Sequence, residues 1–293
     1  MTIMPYDEAS FLAGVAAGRN MRSWPRLLDE DETEIFMFDV DCTISRRLSI
    51  SVCRFTGLIL WGDGTTTEYN HSAGVVHTYA STGIYRVQMI GALTLIRFGN
   101  ASSYRAEQIR AAFMPVPRIP DGASLTVTSN FENCDRLIYI TGDYYRNYAK
   151  QGVQLNSLDH AFYGCSALTS VPSGLYDGIE VLPFNDEYSL EGMFQSCTAL
   201  IAVRGPIFSS ASAEDFTNAD LMFNNCPSLV SFPQNFFERM TGIESFVGCF
   251  GGCVNLESPV PELWITHPNA NGRYCFTDCT KAANYADIPP EWR

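Results

Sequence analysis

The sequence predicts a chain in two structural parts, an all-β sandwich followed by an α/β stack of repeats. Three observations predict it. From Ile35 to about Ala92 apolar and polar residues alternate with period two. From Phe131 onward the unit F-x-x-C-x-x-L recurs six times. Near Ala92 one texture replaces the other with no Gly/Ser-rich linker, so a close junction is expected. The expected division is a helical docking segment at 1–30, the sandwich at 31–92, and the repeat stack with a C-terminal cap at 93–293.

The first segment is MTIMPYDEASFLAGVAAGRNMRSWP. Its apolar piece is short and follows Asp7 and Glu8, where an export signal would carry basic residues. It reads instead as a short helix with Phe11, Leu12, Val15 and Ala16 on one face. Phe11, Leu12, Val15, Met21 and Trp24 form an apolar set that must pack on its own domains or on a partner, and docking is the expected use. The acidic run Leu27–Glu34 then reads as a solvated linker.

In the second segment Phe36, Phe38, Val40, Cys42 and Ile44 alternate with Met37, Asp39, Asp41 and Thr43. Leu48, Ile50 and Val52 alternate again, as do Tyr85, Val87 and Met89. Several such runs bounded by turn residues predict an antiparallel sandwich. Between them Gly62-Asp63-Gly64 suits a tight turn whose Asp side chain bonds nearby amides, and Trp61 and Tyr79 supply core bulk. Trp61, Gly62, Asp63, Gly64, His77, Tyr79, Gly83, Tyr85 and Val87 follow the pattern W-G-D-G, H-x-Y, G-x-Y-x-V. This segment resembles the polycystic-kidney-disease (PKD) type of immunoglobulin-like domain, which implies an immunoglobulin-like sandwich. Asp63 and His77 as a catalytic pair is the alternative reading, and the turn and core roles are preferred.

The repeats begin after a first rung at Leu93, Leu95 and Phe98. Their phenylalanines, Phe131, Phe162, Phe194, Phe223, Phe250 and Phe276, are spaced by 31, 32, 29, 27 and 26 residues, a period that marks a stacked architecture. Their cysteines are Cys134, Cys165, Cys197, Cys226, Cys253 and Cys279, and Ala282 replaces leucine in the last unit. Leu158, Leu190 and Phe246 precede their Phe by four, a helical spacing. Each unit therefore reads as a short helix ending at Cys, a turn, and a short strand that exits near Pro172, Pro233 or Pro259. The pattern resembles the BspA-like leucine-rich repeats of bacterial and protist surface proteins. That resemblance implies an α/β leucine-rich-repeat solenoid capped by YADIPPEWR.

Equivalent cysteines disfavour pairing within a unit, and free buried thiols in a reducing compartment are expected. Zinc would need Cys249, Cys253, Cys275 and Cys279 to converge, and Cys249 and Cys275 occupy a slot that is Met193 and Met222 elsewhere. Whether Cys42 and Cys53 are joined stays open. His71, His77, His160 and His267 form no motif, and no metalloprotease, P-loop, nucleophile-elbow or dinucleotide pattern is present. No enzyme, no metal and no cofactor are expected. Tyr144, Tyr145 and Tyr148 offer a candidate binding surface; the competing reading has them covering the first turn of the stack.

The 32 acidic against 19 basic residues, a formal charge of −13, argue against nucleic acid and anionic membranes as partners. No stretch reaches the roughly 18 apolar residues of a membrane span. The segment FLAGVAAGRNMRSWP is similar to the leading segments of structural proteins of phages and prophages from gut bacteria. The expectation is a non-enzymatic virion protein on a phage tail or capsid. It assembles in the host cytoplasm, forms a homo-oligomer, and binds other virion proteins or a host-surface protein or glycan. The alternative is a bacterial cell-surface adhesin.

Overall fold

The computed structural model of the protein describes residues 35–50, 52–71, 74–98, 108–113, 125–126, 131–142, 145, 154–156, 158–178, 180–182, 188–208 and 211–293. The N-terminal helix and docking set, Phe11, Leu12, Val15, Met21 and Trp24, lie outside the described residues, as do Tyr144 and Tyr148.

The period-two region forms strands. They are β1 (Ile35–Asp41), β2 (Arg47–Ile50), β3 (Val52–Leu60), β4 (Thr66–His71), β5 (Val75–Thr78) and β6 (Ile84–Arg97). β7 (Ile109–Phe113) and β9 (Tyr139–Ile140) complete a six-stranded sheet in the order β4-β3-β6-β1-β7-β9. β1 runs antiparallel to β6 and β7, while β7 and β9 are parallel. Phe36, Phe38 and Val40 are fully buried, as period-two alternation on a core face requires. β2 and β5 pair as a separate antiparallel ribbon.

Gly57 of β3 faces Gly91 of β6. A Cβ at Gly57 would stand 2.2 Å from the Ile90 carbonyl oxygen, and one at Gly91 would stand 2.3 Å from that of Thr56. The two long strands therefore approach at a point that only paired glycines permit.

The α/β leucine-rich-repeat solenoid that the repeats imply is not what the chain builds. The protein is mostly β, and α-helix among the described residues is confined to one turn, α1 (Leu263–Thr266). Each helix expected before a repeat cysteine is replaced by consecutive turns. The physical reason lies two residues either side of Phe162, Phe194, Phe223, Phe250 and Phe276. His160 and Gly164, Gly192 and Ser196, Leu221 and Asn225, Gly248 and Gly252, and Tyr274 and Asp278 all have positive φ. Left-handed residues cannot continue a right-handed helix, and Gly and Asn favour them. Amides that a helix would use internally bond outward instead. Phe162 donates to the Met193 carbonyl, Phe194 to Met222, Phe223 to Cys249 and Phe250 to Cys275, each at 2.8 Å.

Strands in this half are short. β8 (Leu125–Thr126), β10 (Gln154–Asn156) and β12 (Glu180–Leu182) pair in parallel. So do β11 (Ser170–Val171) and β13 (Ala202–Val203), followed by a bridge from Ala202 to Ser231. The sheet of the first half does not stop at residue 92. β6 runs through residue 92, and the sheet recruits β7 and then β9, which belongs to the first repeat.

The two halves share one core. Phe98 stacks on Phe131 at 5.4 Å and meets Phe38 edge-on at 4.9 Å. From Phe131 the rings follow one another through Phe162, Phe194, Phe223, Phe250 and Phe276 at 5.2–5.5 Å, within 13° of parallel. Trp292 ends the row 6.5 Å beyond Phe276. Rings offset at strand-like spacing gain about 0.5–1.5 kcal/mol per pair beyond burial.

Candidate functional site

Three constellations gather the reactive side chains. The first is the corner where the β3–β4 turn meets the end of β5. Asp63 accepts the Thr65 amide at 2.9 Å and the Thr65 hydroxyl at 2.6 Å, and its other oxygen lies 2.9 Å from His77 Nε2. The His77 ring stacks on Trp61 at 4.4 Å, within 3° of parallel, and meets Tyr79 edge-on at 4.6 Å. Tyr79 donates its hydroxyl to the Trp61 carbonyl at 3.1 Å and stacks on Tyr85 at 3.9 Å. Burial would raise the Asp63 carboxyl, but the bonds from Thr65 and His77 outweigh it and hold it below the ordinary carboxylate value. Asp63 and His77 do meet, as their catalytic reading requires. The contact joins the turn that holds Asp63 to His77 of β5.

The second constellation is the seam between the sheet and the first repeat. Arg86 binds Asp39 through two bonds, Nε to Oδ1 at 2.8 Å and a terminal nitrogen to Oδ2 at 3.0 Å. Asp39 is nearly inaccessible, and burial raises its carboxyl despite the bonds and charge of Arg86. Asp41 meets Arg136 of the first repeat at 3.3 Å and Arg110 of β7 at 4.0 Å. Burial pushes the Asp41 carboxyl up. The Thr43 bonds and the two guanidinium charges more than reverse it, leaving it below its ordinary value. The Ile138 amide donates to the Arg110 carbonyl at 2.8 Å beside them. The period-two pattern placed Asp39 and Asp41 on the polar face, with no signal for their arginine partners.

The third is the thiol column. Cys165, Cys197, Cys226, Cys253 and Cys279 donate from Sγ to the Phe carbonyl of the preceding unit at 3.1–3.2 Å. Burial pushes these thiols up, Cys279 to about 12 and the others well above the ordinary value. Cys42 is also free and buried. Among the described residues no three His, Cys, Asp or Glu side chains converge to hold a metal ion.

Of the candidate surface tyrosines, Tyr145 is fully buried and stacks on Tyr176 at 4.5 Å. It belongs to the core that covers the first repeats, which removes it from the binding surface. His160 covers Gly192, whose Cβ would come within 2.8 Å of the ring, and Leu221 covers Gly248 in the same way at 2.9 Å. These pairs were legible only as the recurrence of Gly, Asn and Asp two residues from Phe.

An open cleft of about 350 Å³ lies between Asn235, Phe237 and Glu238 on one side and Glu262, Leu263 and His267 on the other. His267 bonds Thr266 Oγ1 and the Met240 carbonyl, both at 2.9 Å, so both ring nitrogens are engaged. The residues left exposed are of another kind: Ile201, Val230, Val254, Ile265 and Tyr274 are large, apolar and on the repeat surface. Ile201 and Val230 are adjacent, the Val230 amide donating to the Ile201 carbonyl at 2.9 Å. No helix among the described residues is long and apolar enough to cross a membrane. No family model, curated protein or solved structure matches the chain.

Proposed function

We propose that this chain is a non-enzymatic structural protein of a bacteriophage particle, displayed on tail or capsid, that binds another particle protein or a host-surface protein or glycan. The observation that carries the reading is the continuous ladder from Phe98 to Trp292. Main-chain bonds join each unit to the next, so surface side chains are held in rows at fixed spacing. A row on a rigid scaffold loses little conformational entropy on binding. Asp63 with His77, Asp39 with Arg86, and the thiols of Cys165, Cys197, Cys226, Cys253 and Cys279 with backbone carbonyls tie the structure together. The exposed pair Ile201 and Val230 sits on such a row. Association with virion proteins and homo-oligomer formation belong to the same proposal, and the apolar set Phe11, Leu12, Val15, Met21 and Trp24 is its docking element.

The test is composition and context. Mass spectrometry of purified particles should find the chain in fixed stoichiometry, and portal, capsid and tail genes should flank its gene. Removing residues 1–28 should leave a folded chain that no longer joins the particle. A chain that is found only on bacterial cells, encoded among surface-protein genes, sinks the virion reading in favour of an adhesin.

A further inference from the structure

In the last two repeats two cysteines stand outside the thiol column. Cys249 and Cys275 directly precede Phe250 and Phe276, at the place held by Ala161, Met193 and Met222 in earlier units. The two units lie side by side. Gly248, Phe250 and Gly252 donate their amides to the carbonyls of Arg273, Cys275 and Thr277 at 3.0, 2.8 and 2.9 Å. In this parallel register Cys249 faces Cys275. Chains paired this way run about 4.8 Å apart, within the ~4.4–6.8 Å Cα separation that a disulfide spans. Both side chains are fully buried, and after burial itself the neighbouring Cys249 thiol is a further cause that raises Cys275. The column thiols differ because each is committed to a backbone carbonyl, Cys253 to Phe223 and Cys279 to Phe250.

We propose that Cys249 and Cys275 are a disulfide site, closed by a small-molecule disulfide oxidant, that ties the last repeat to the one before it. One cysteine thiolate attacks a sulfur of the oxidant, forming a mixed disulfide and releasing the first oxidant thiolate. The facing thiolate then attacks the protein sulfur, forming the Cys249–Cys275 bond and releasing the second. Two protein thiols are oxidised, one disulfide is reduced to two thiols, and the two protons end on the released groups. Burial raises the Cys275 thiol, so little thiolate exists in the closed state and the reaction runs through local opening of the C-terminal unit. That opening is governed by Trp292, whose ring lies over Gly272 and whose carbonyl accepts the Phe276 amide at 2.8 Å. Once formed, the bond spans the unit that a single cap otherwise holds.

The full chain is incubated with glutathione disulfide at alkaline pH, alkylated, digested without reductant and analysed by mass spectrometry. The expected result is one dominant cross-linked peptide pair, Cys249 with Cys275, and amide exchange across residues 272–279 slowed by about tenfold or more. Cys253→Val should keep the cross-link, and the paired change Cys249→Val with Cys275→Val should abolish it. The proposal is overturned if cross-links scatter among Cys226, Cys253 and Cys279. It is equally overturned if none forms in denaturant that opens the C-terminal unit while the rest stays folded. The cross-link map of the unmodified chain decides this even if a variant does not fold.

Discussion

The Phe194 carbonyl accepts two hydrogen bonds, from the Cys197 amide of its own unit and from the Cys226 thiol of the next, both at 3.2 Å. One bond closes a turn and the other joins neighbouring units, so both lone pairs of one buried oxygen are used. Cysteine suits the place because it is small, apolar enough for the core, and able to donate.

Cys226→Ala removes the second bond and leaves a small void. It should cost about 1–3 kcal/mol, read as a shift in the denaturant midpoint at unchanged slope. A change below a few tenths of a kcal/mol would mean the thiol merely fills space.

Gly192 has φ +58°, and a Cβ there would meet the His160 ring at 2.8 Å. Gly192→Ala should therefore destabilise by about 1–3 kcal/mol from the left-handed backbone and the clash together. Adding His160→Ala should recover part of that loss. A double variant no more stable than Gly192→Ala would show that the ring is not in the way.

Asp41 and Asp63 both have carboxyls below the ordinary 3.8. For a lowered acid the stabilisation is complete above the unfolded value and is lost as pH falls through the folded one. Thermal stability should therefore decline below about pH 4. Asp63→Asn should flatten part of that decline and lower stability at neutral pH by about 1–2 kcal/mol through the weakened His77 and Thr65 bonds. Asp39 works in the opposite sense, because a raised carboxyl favours folding less as pH climbs above 3.8. An acid limb identical in Asp63→Asn and the parent would refute the assignment.

Trp292 is nearly buried and closes the ring row. Trp292→Ala should cost about 3 kcal/mol or more, felt mainly by the last repeat. Cys275 and Cys279 should then react with a thiol reagent well before Cys165 and Cys197. Simultaneous reaction of all four would indicate global unfolding instead of a local cap.

Alternation and repetition were legible in the chain because each follows from which side chains must be buried. Phe36, Phe38 and Val40 announced a strand, and Phe131 to Phe276 announced units that pack on one another. The helices read before each cysteine were wrong for a definite reason. Leu158 and Phe162 share a spacing with helical residues, but His160 and Gly164 between and beside them take left-handed conformations. The same four-residue spacing then buries both side chains in a run of turns. Apolar periodicity reports burial and does not report where the amides go.

The burial pattern, the repeat register and the expectation of free thiols could be read from the chain alone, since these depend on residue type and spacing. Folding in three dimensions was needed to show that β6 carries the sheet past residue 92, that Arg136 meets Asp41, and that Tyr145 lies inside. The same holds for the register that sets Cys249 opposite Cys275. Each of these depends on main-chain hydrogen bonds and ion pairs between residues tens of positions apart, and such pairings leave no local trace in composition or period.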